Sequence, residues 1–286
     1  MTLIGNAEVT RPVPDPLKSS VMDHATVGPD VASFGLRNNE GLWPSYNCLD
    51  TLVPTPICPD PLLAESGGFK QFATIGWMPA FEFAVYGAVQ CSPVGLDMTD
   101  QKSEVERVFS LNEGKGVEQG LLLNRFVATG SGDPVQWDAP VDLSAAGMSL
   151  LGALAALEGY AAATYAGVPT IHMPRAAALM LSGLGAITWT NGIATTKTGA
   201  MVAAGGGYDS TAVPTGSYDL YATGEVYVER SEGVNIQTYV LPGDGSGVGS
   251  GENGLADNTV ISLAERMYRV AVDCFVAKAT GRAWSA

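Results

Sequence analysis

Charge is the scarcest ingredient of this 286-residue chain: Asp, Glu, Lys and Arg make up 15% of it, where an ordinary soluble domain carries about a quarter. So little charge implies that much of the surface is covered, either by neighbouring molecules or by enclosure in a large core. Of the charges present, 29 are acidic and 15 basic, for a formal net charge of -14. A surface of that sign repels nucleic acid and anionic membranes and excludes sequence-specific reading of DNA. Histidine is rarer still, with only His24 and His172. Cys48, Cys58, Cys91 and Cys274 are widely spaced and form no CxxC pair, which excludes a structural zinc site. Met1 to Asp30 is polar and interrupted by Pro12, Pro14, Pro16 and Pro29, so no basic n-region leads into an apolar stretch and no secretory export is expected. In a reducing compartment the four cysteines are expected as plain buried thiols, although Cys48 and Cys91 approach each other if their segments pair.

What the chain does contain is concentrated between Val141 and Ile187. Leu143 to Ala166 holds no Lys or Arg and a single acid, Glu158, and reads as a helix enclosed by protein on most sides. Alanine, glycine and serine dominate it, Glu158 falls near its middle and flanking Lys or Arg anchors are missing, which argues against a membrane span. Pro169 and Pro174 then bracket a short extended segment, Val168 to Arg175, and Ala176 to Ile187 resumes a helical pattern.

Around this scaffold the pattern is mixed. Met1 to about Pro44 is a proline-punctuated arm without periodicity, and it needs a surface to lie on; a partner subunit is the support expected. Tyr46 to Pro56 and Ala80 to Cys91 carry strand residues, the second alternating Phe81, Phe83, Val85 and Val89 with Glu82, Ala84 and Ala88. Between them, Pro59 to Pro79 has the glycines and aromatics of a projecting β-hairpin. A second helix begins near Thr99, with Val105, Val108 and Phe109 at helical spacing, and extends toward Leu123, a span of roughly 36 Å. Gly114, Gly116 and Gly120 each cost such a helix about 1 kcal/mol relative to alanine, so it depends on tertiary support. Lys197 to Ala204, Tyr218 to Glu229 and Arg266 to Lys278 read as strands, and Leu241 to Gly254 as a flexible loop.

Candidate chemistry dissolves on inspection. Gly249 to Gly254, GSGENG, matches the dinucleotide pattern GxGxxG, but linker sequence precedes it where a strand is required. Gly192 to Thr198 contains a Lys-Thr pair without the glycine that a phosphate-cradling loop needs, and reads as a turn into a strand. His172, between Ile171 and Met173, reads as a strand histidine satisfied by a local hydrogen bond. Glu104 and Glu106, and Glu113 and Glu118, read as solvated helix faces rather than paired acid and base. Catalytic, cofactor-binding and metal residues are therefore expected to be none, and an enzyme is not expected.

The order of elements, with the tokens YAGVPTIHMPRAAALML, TTKTGAMVAAGGGYD and MYRVAVDCFVAKA, resembles the Hong Kong 97-type major capsid proteins of tailed bacteriophages, particularly short versions from phages of actinobacteria. The resemblance implies an α+β fold divided into an N-terminal arm (1–44), a peripheral domain (45–140) bearing an extended loop (about 55–80) and a spine helix (about 99–123), a mainly axial domain (141–255), and a C-terminal strand (256–286) returning to the peripheral domain. It further implies many copies of the chain as hexamers and pentamers of an icosahedral shell, with scaffold, portal and decoration proteins as partners. The shell would enclose double-stranded DNA without sequence-specific contacts, have no membrane association, be assembled in the host bacterial cytoplasm and end in the virion. Some members carry a long scaffolding segment that is cleaved; none is expected here. Others cross-link through a loop lysine; Lys70 lies in that region but is expected to be a solvated charge. A shell for enzyme cargo of the encapsulin type, and a soluble hydrolase or nucleotide-binding enzyme resting on GSGENG, are the alternatives.

Overall fold

A computed structural model describes residues 15–30, 42–45, 76–79, 81–91, 98–123, 140–210, 216–241 and 259–283. Its framework is a pair of mixed sheets, and the elements named below follow chain order.

The five-stranded sheet is built on β13 (Thr259–Val272), a 14-residue strand. The whole of one edge pairs antiparallel with β4 (Phe81–Cys91), from Val260 opposite Cys91 to Val270 opposite Phe81. The other edge is shared by β11 (Val226–Arg230) and β12 (Asn235–Leu241), and β1 (Thr26–Val27) adds parallel to β11. In β4, Phe83 is buried while Glu82, Ala84 and Tyr86 are exposed, the half-buried alternation its sequence encodes. The 26-residue helix α2 (Met98–Leu123) lies on this sheet and buries Val105, Phe109, Val117 and Leu121 at helical spacing. Its glycines mark the close approach. A Cβ on Gly116 would stand 2.4 Å from Val85 Cγ1, one on Gly120 2.6 Å from Phe83 Cε2, and one on Gly114 2.8 Å from Ser20 Oγ. The propensity they lose is thus offset by packing distance. A short ribbon, β2 (Leu42–Ser45) with β3 (Gly76–Pro79), precedes β4.

The seven-stranded sheet runs β5 (Val141–Asp142), β14 (Val276–Arg282), β10 (Ser217–Thr223), β6 (Thr170–His172), β9 (Met201–Ala203), β8 (Ile193–Thr196), β7 (Ile187–Thr190). Helices α3 (Leu150–Thr164) and α4 (Arg175–Gly183) pack on it. The expected helix from Leu143 starts only at Leu150, where Ser149 Oγ caps Gly152 N, because Leu143 N is committed to the carbonyl of Lys278. Helix α4 stops at Gly183; Gly185, at φ +72°, turns the chain into β7. The strand expected over Lys197 to Ala204 is only Met201–Ala203, and the β7–β8 hairpin before it was not expected. Asn191 and Gly192, with φ of 53° and 84°, form its two-residue turn.

One ribbon threads both sheets. The expected strand Tyr218 to Glu229 is two strands, β10 and β11, and Arg266 to Lys278 likewise is β13 and β14. They pair with each other on both sides of a break, where Gly224 and Glu225 oppose Asp273, Cys274 and Phe275. The extra residue, Cys274, adopts φ 63° and forms a bulge that redirects the ribbon. Across the break, Gly224 N donates to Asp273 O (3.2 Å) and Asp273 N to Glu225 O (2.8 Å). Cys274 is disulfide-bonded, which overturns the expectation of four free thiols.

The N-terminal segment also departs from expectation. Part of it needs no partner subunit: Leu17 to Asp30 lies on its own chain, with Val21 fully buried in the core of the five-stranded sheet and β1 on that sheet's edge. The expected strand at 46–56, Lys70 and GSGENG lie outside the described residues, as does most of the expected hairpin.

Candidate functional site

Two features stand out. The first is a polar junction where the N-terminal segment, α2 and both sheets meet. Glu118 of α2, expected on a solvated face, is completely buried. Its Oε1 accepts from the backbone N–H of Val21 (3.0 Å) and Gly205 (2.9 Å), and its Oε2 from that of Gly207 (2.7 Å). Three donors compensate the burial of one carboxylate. The GGG of GGGYD is what allows them to reach it. A Cβ on Gly205 would lie 2.4 Å from Glu118 Oε1, a Cβ on Gly207 2.3 Å from Glu118 Cβ, and Gly206 has φ +102°.

The next residue, Tyr208, extends the junction to His172. Both are fully or almost fully buried. His172 Nδ1 is 2.7 Å from the Tyr208 hydroxyl and Nε2 is 2.9 Å from Thr223 Oγ1. Thr223 commits its own proton to the carbonyl of Gly224 (2.8 Å), so its oxygen accepts from His172 Nε2–H, and Tyr208 donates to Nδ1. The ring is neutral in this arrangement. Burial pushes its pKa down to about 3, with His24 nearby adding to the effect. Burial and the Glu118 charge push the Tyr208 hydroxyl well up. No open face remains for a substrate, and the relay ends on a backbone carbonyl. The hydrogen bond expected for His172 is not local: its partners are 36 and 51 residues away.

The charged groups of the five-stranded sheet are likewise matched. Glu113, also expected in solvent, accepts from Arg266 (3.4 Å) and from the Tyr268 hydroxyl, and Arg266 and Arg230 both hold Asp30. Arg269 spans Glu82 and Glu229. Glu104 pairs with Arg107 and Glu106 is exposed, the solvated face expected of that turn. Among the described residues no cluster of His, Cys, Asp and Glu could hold a metal ion, and no helix is long and apolar enough to cross a membrane.

The second feature is on the outside. Helix α3 buries Leu150, Ala153, Leu154, Leu157 and Ala161 on the sheet, yet Leu151, Ala155, Gly159, Ala162 and Ala163 are exposed along the opposite stripe. The expectation of a helix enclosed on most sides is met by this chain on one face only. Helix α4 repeats the arrangement, leaving Ala176, Leu179, Met180, Gly183 and Leu184 exposed. Leu179 is 60% and Leu151 47% accessible. Apart from the partly exposed Glu158 of α3, these stripes are uncharged, a composition suited to contact with protein.

Sequence reasoning missed Glu118 and the glycines that enclose it. A signal existed: Glu118 sits among Val117, Leu121 and Leu122 within an apolar stripe, and three successive glycines precede an aromatic.

No family model and no curated protein matches the chain. Solved structures do. One from Mycobacterium phage Cain is 15% identical, covers 99% of this chain and 97% of its own, and has a TM-score of 0.51. One from Gordonia phage Cozz is 13% identical, covers 95% and 89%, and also has a TM-score of 0.51. The capsid of a native GTA particle is 12% identical over 97% and 94%, at a TM-score of 0.49. The α+β fold is thus shared with structures from two phages along nearly the whole chain.

Proposed function

We propose that this chain is the major capsid protein of a tailed phage, a structural protein that self-assembles into an icosahedral shell around double-stranded DNA. The observation that carries the reading is the likeness in fold to the two phage structures over 95% or more of this chain. The largely apolar outward faces of α3 and α4 support it, because covering them with neighbouring copies removes apolar area from water.

In this reading the five-stranded sheet and α2 form the peripheral domain, with α2 as its spine. The seven-stranded sheet with α3 and α4 forms the axial domain, whose exposed helices meet neighbouring copies around the capsomer axes. The division then follows the sheets: residues 140–223 and 276–282 are axial, while 81–123, 226–241 and 259–272 are peripheral. Residues 1–44 serve as the arm, with Leu17 to Asp30 anchored on its own body, and about 55–80 as the extended loop that reaches toward neighbours. Many weak interfaces between identical copies close the shell. Scaffold and portal proteins start and complete assembly in the host cytoplasm, and an acidic lumen lets packaged DNA slide instead of adhering. On this reading the chain acts by assembly and not by catalysis, and Lys70 is a solvated charge that takes part in no cross-link.

Electron microscopy of the purified, concentrated protein tests the reading. Hollow icosahedral particles are expected, and a compact monomer that binds nucleotide would overturn it. Particles filled with a protein cargo would indicate a nanocompartment of the encapsulin type. Denaturing gels of the particles should show single subunits and no covalent ladder.

A further inference from the structure

The five-stranded sheet ends differently on its two sides. Beside β11 it is extended by β1, supplied by the chain's own N-terminal segment. On the far side lies the outer edge of β4, an eleven-residue strand that pairs only with β13 among the described residues. Along such an edge, alternate residues point their N–H and C=O groups away from the sheet. Natural sheets blunt an exposed edge with lysine, proline, a bulge or short length. Phe81 to Cys91 contains no lysine and no proline, and it matches β13 residue for residue without a bulge. Its one charge, Glu82, is already bound by Arg269 (2.9 Å).

A cavity of about 320 Å³ opens along this edge. Val85, Tyr86, Gly87 and Ala88 all line it. Successive side chains of a strand point to opposite faces, so four in a row put the main-chain edge itself at the cavity wall. The facing wall is α2, through Val108, Asn112 and Lys115. The opening therefore has the form that receives an extended strand, with main-chain partners on one side and a helix flank on the other.

We propose that the outer edge of β4 pairs antiparallel with β4 of a second copy of this chain, about a twofold axis at Tyr86, so that two five-stranded sheets become one.

The sequence of the strand is complementary to itself. About Tyr86, Phe83 falls opposite Val89, Ala84 opposite Ala88, Val85 opposite Gly87 and Glu82 opposite Gln90. No like charges meet in that register. A parallel twofold pair would instead set Glu82 beside its own copy, which is unfavourable. The wider field points to the same place. Each copy has a formal net charge of -14, and Lys115 is the one charged residue lining the cavity, so two copies approach where their negative surface is interrupted. The pairing stands whether or not the copies go on to build a shell.

Sedimentation of the full chain, below the concentration at which larger particles form, tests this. The wild type should show a monomer–dimer equilibrium. Ala84 and Ala88 are both exposed and lie opposite each other across the proposed axis. Ala84→Lys/Ala88→Lys therefore brings like charges together twice and should weaken the dimer about tenfold. Ala84→Lys/Ala88→Glu brings opposite charges together in the same register and should restore it. A wild type that stays monomeric overturns the proposal. So does a dimer that is equally tight in both variants, because another surface then forms it, and so does failure of the second variant to restore pairing. If the first variant does not fold, Tyr86→Cys decides: mild oxidation should join two copies at that position beyond the wild-type background, and absence of that cross-link overturns the proposal.

Discussion

The two sheets are stabilised by different means. The seven-stranded sheet and its helices enclose an apolar core of Leu150, Leu157, Ile171, Leu181 and Leu220, filled in by alanines. Its stability comes from area removed from water, roughly 25 cal/mol for each Å². The five-stranded sheet accepts α2 at glycine distance and carries buried or half-buried arginines, Arg266 and Arg269, each matched to acids from other elements. Its stability rests more on closeness and pairing, which are intolerant of added atoms and sensitive to charge. Between them, the Glu118 and His172 junction belongs to both. The comparison teaches that scarce charge was spent where elements distant in sequence must be registered, while apolar area was left to hold a locally connected unit.

The contrast can be broken most severely at the junction. Glu118→Gln leaves buried amides facing the wrong group, and urea denaturation of the unassembled chain should show a loss of about 4 kcal/mol. Acid attacks the same place. Because His172 has a folded pKa near 3, well under the unfolded value of about 6.5, its stabilising effect is complete above the latter and fades below it. About 3 kcal/mol should disappear between pH 7 and pH 4, and His172→Gln should remove most of that slope. Leu157→Ala empties a fully buried site in the seven-stranded unit and should cost about 3 kcal/mol without any dependence on salt.

Smaller effects sharpen the other side. Gly116→Ala pits a 2.4 Å approach to Val85 against a gain in helix propensity, for a net loss of about 1 kcal/mol. A gain in stability would show that α2 is free to shift on β4. Arg269→Met should cost about 1 kcal/mol or less, since Glu82 is half-exposed, and the loss should shrink in 1 M salt.

Much of the fold was legible in local pattern. The alternation of β4, the apolar spacing of α2 and the proline-bracketed Thr170–His172 strand all appear where the residues indicate, because each depends on near neighbours in the chain. The splitting of Tyr218 to Glu229 and of Arg266 to Lys278 was not legible. Gly224 and Cys274 interrupt an otherwise unbroken alternation by one residue, and only the pairing of the two segments turns that into a change of sheet. Glu113 and Glu118 were misread for a related reason: a carboxylate on a helix looks solvated until Arg266, Tyr268 or the amides of Gly205 and Gly207 arrive from far along the sequence. Cys274 entered a disulfide that spacing did not reveal.

Composition and periodicity determined by themselves that the chain mixes helices and strands, is poor in charge, has two histidines and no CxxC pair, and is bound to cover much apolar surface. Those properties are sums over residues or follow from neighbours within a few positions. Tertiary structure alone decided that the segment from Leu17 folds onto its own body, that one ribbon serves both sheets, and that α3 and α4 keep largely apolar faces outward. Each is a statement about which distant groups meet, and hydrogen bonds and close packing, acting over a few ångströms, carry no trace in the sequence of the partner they will find.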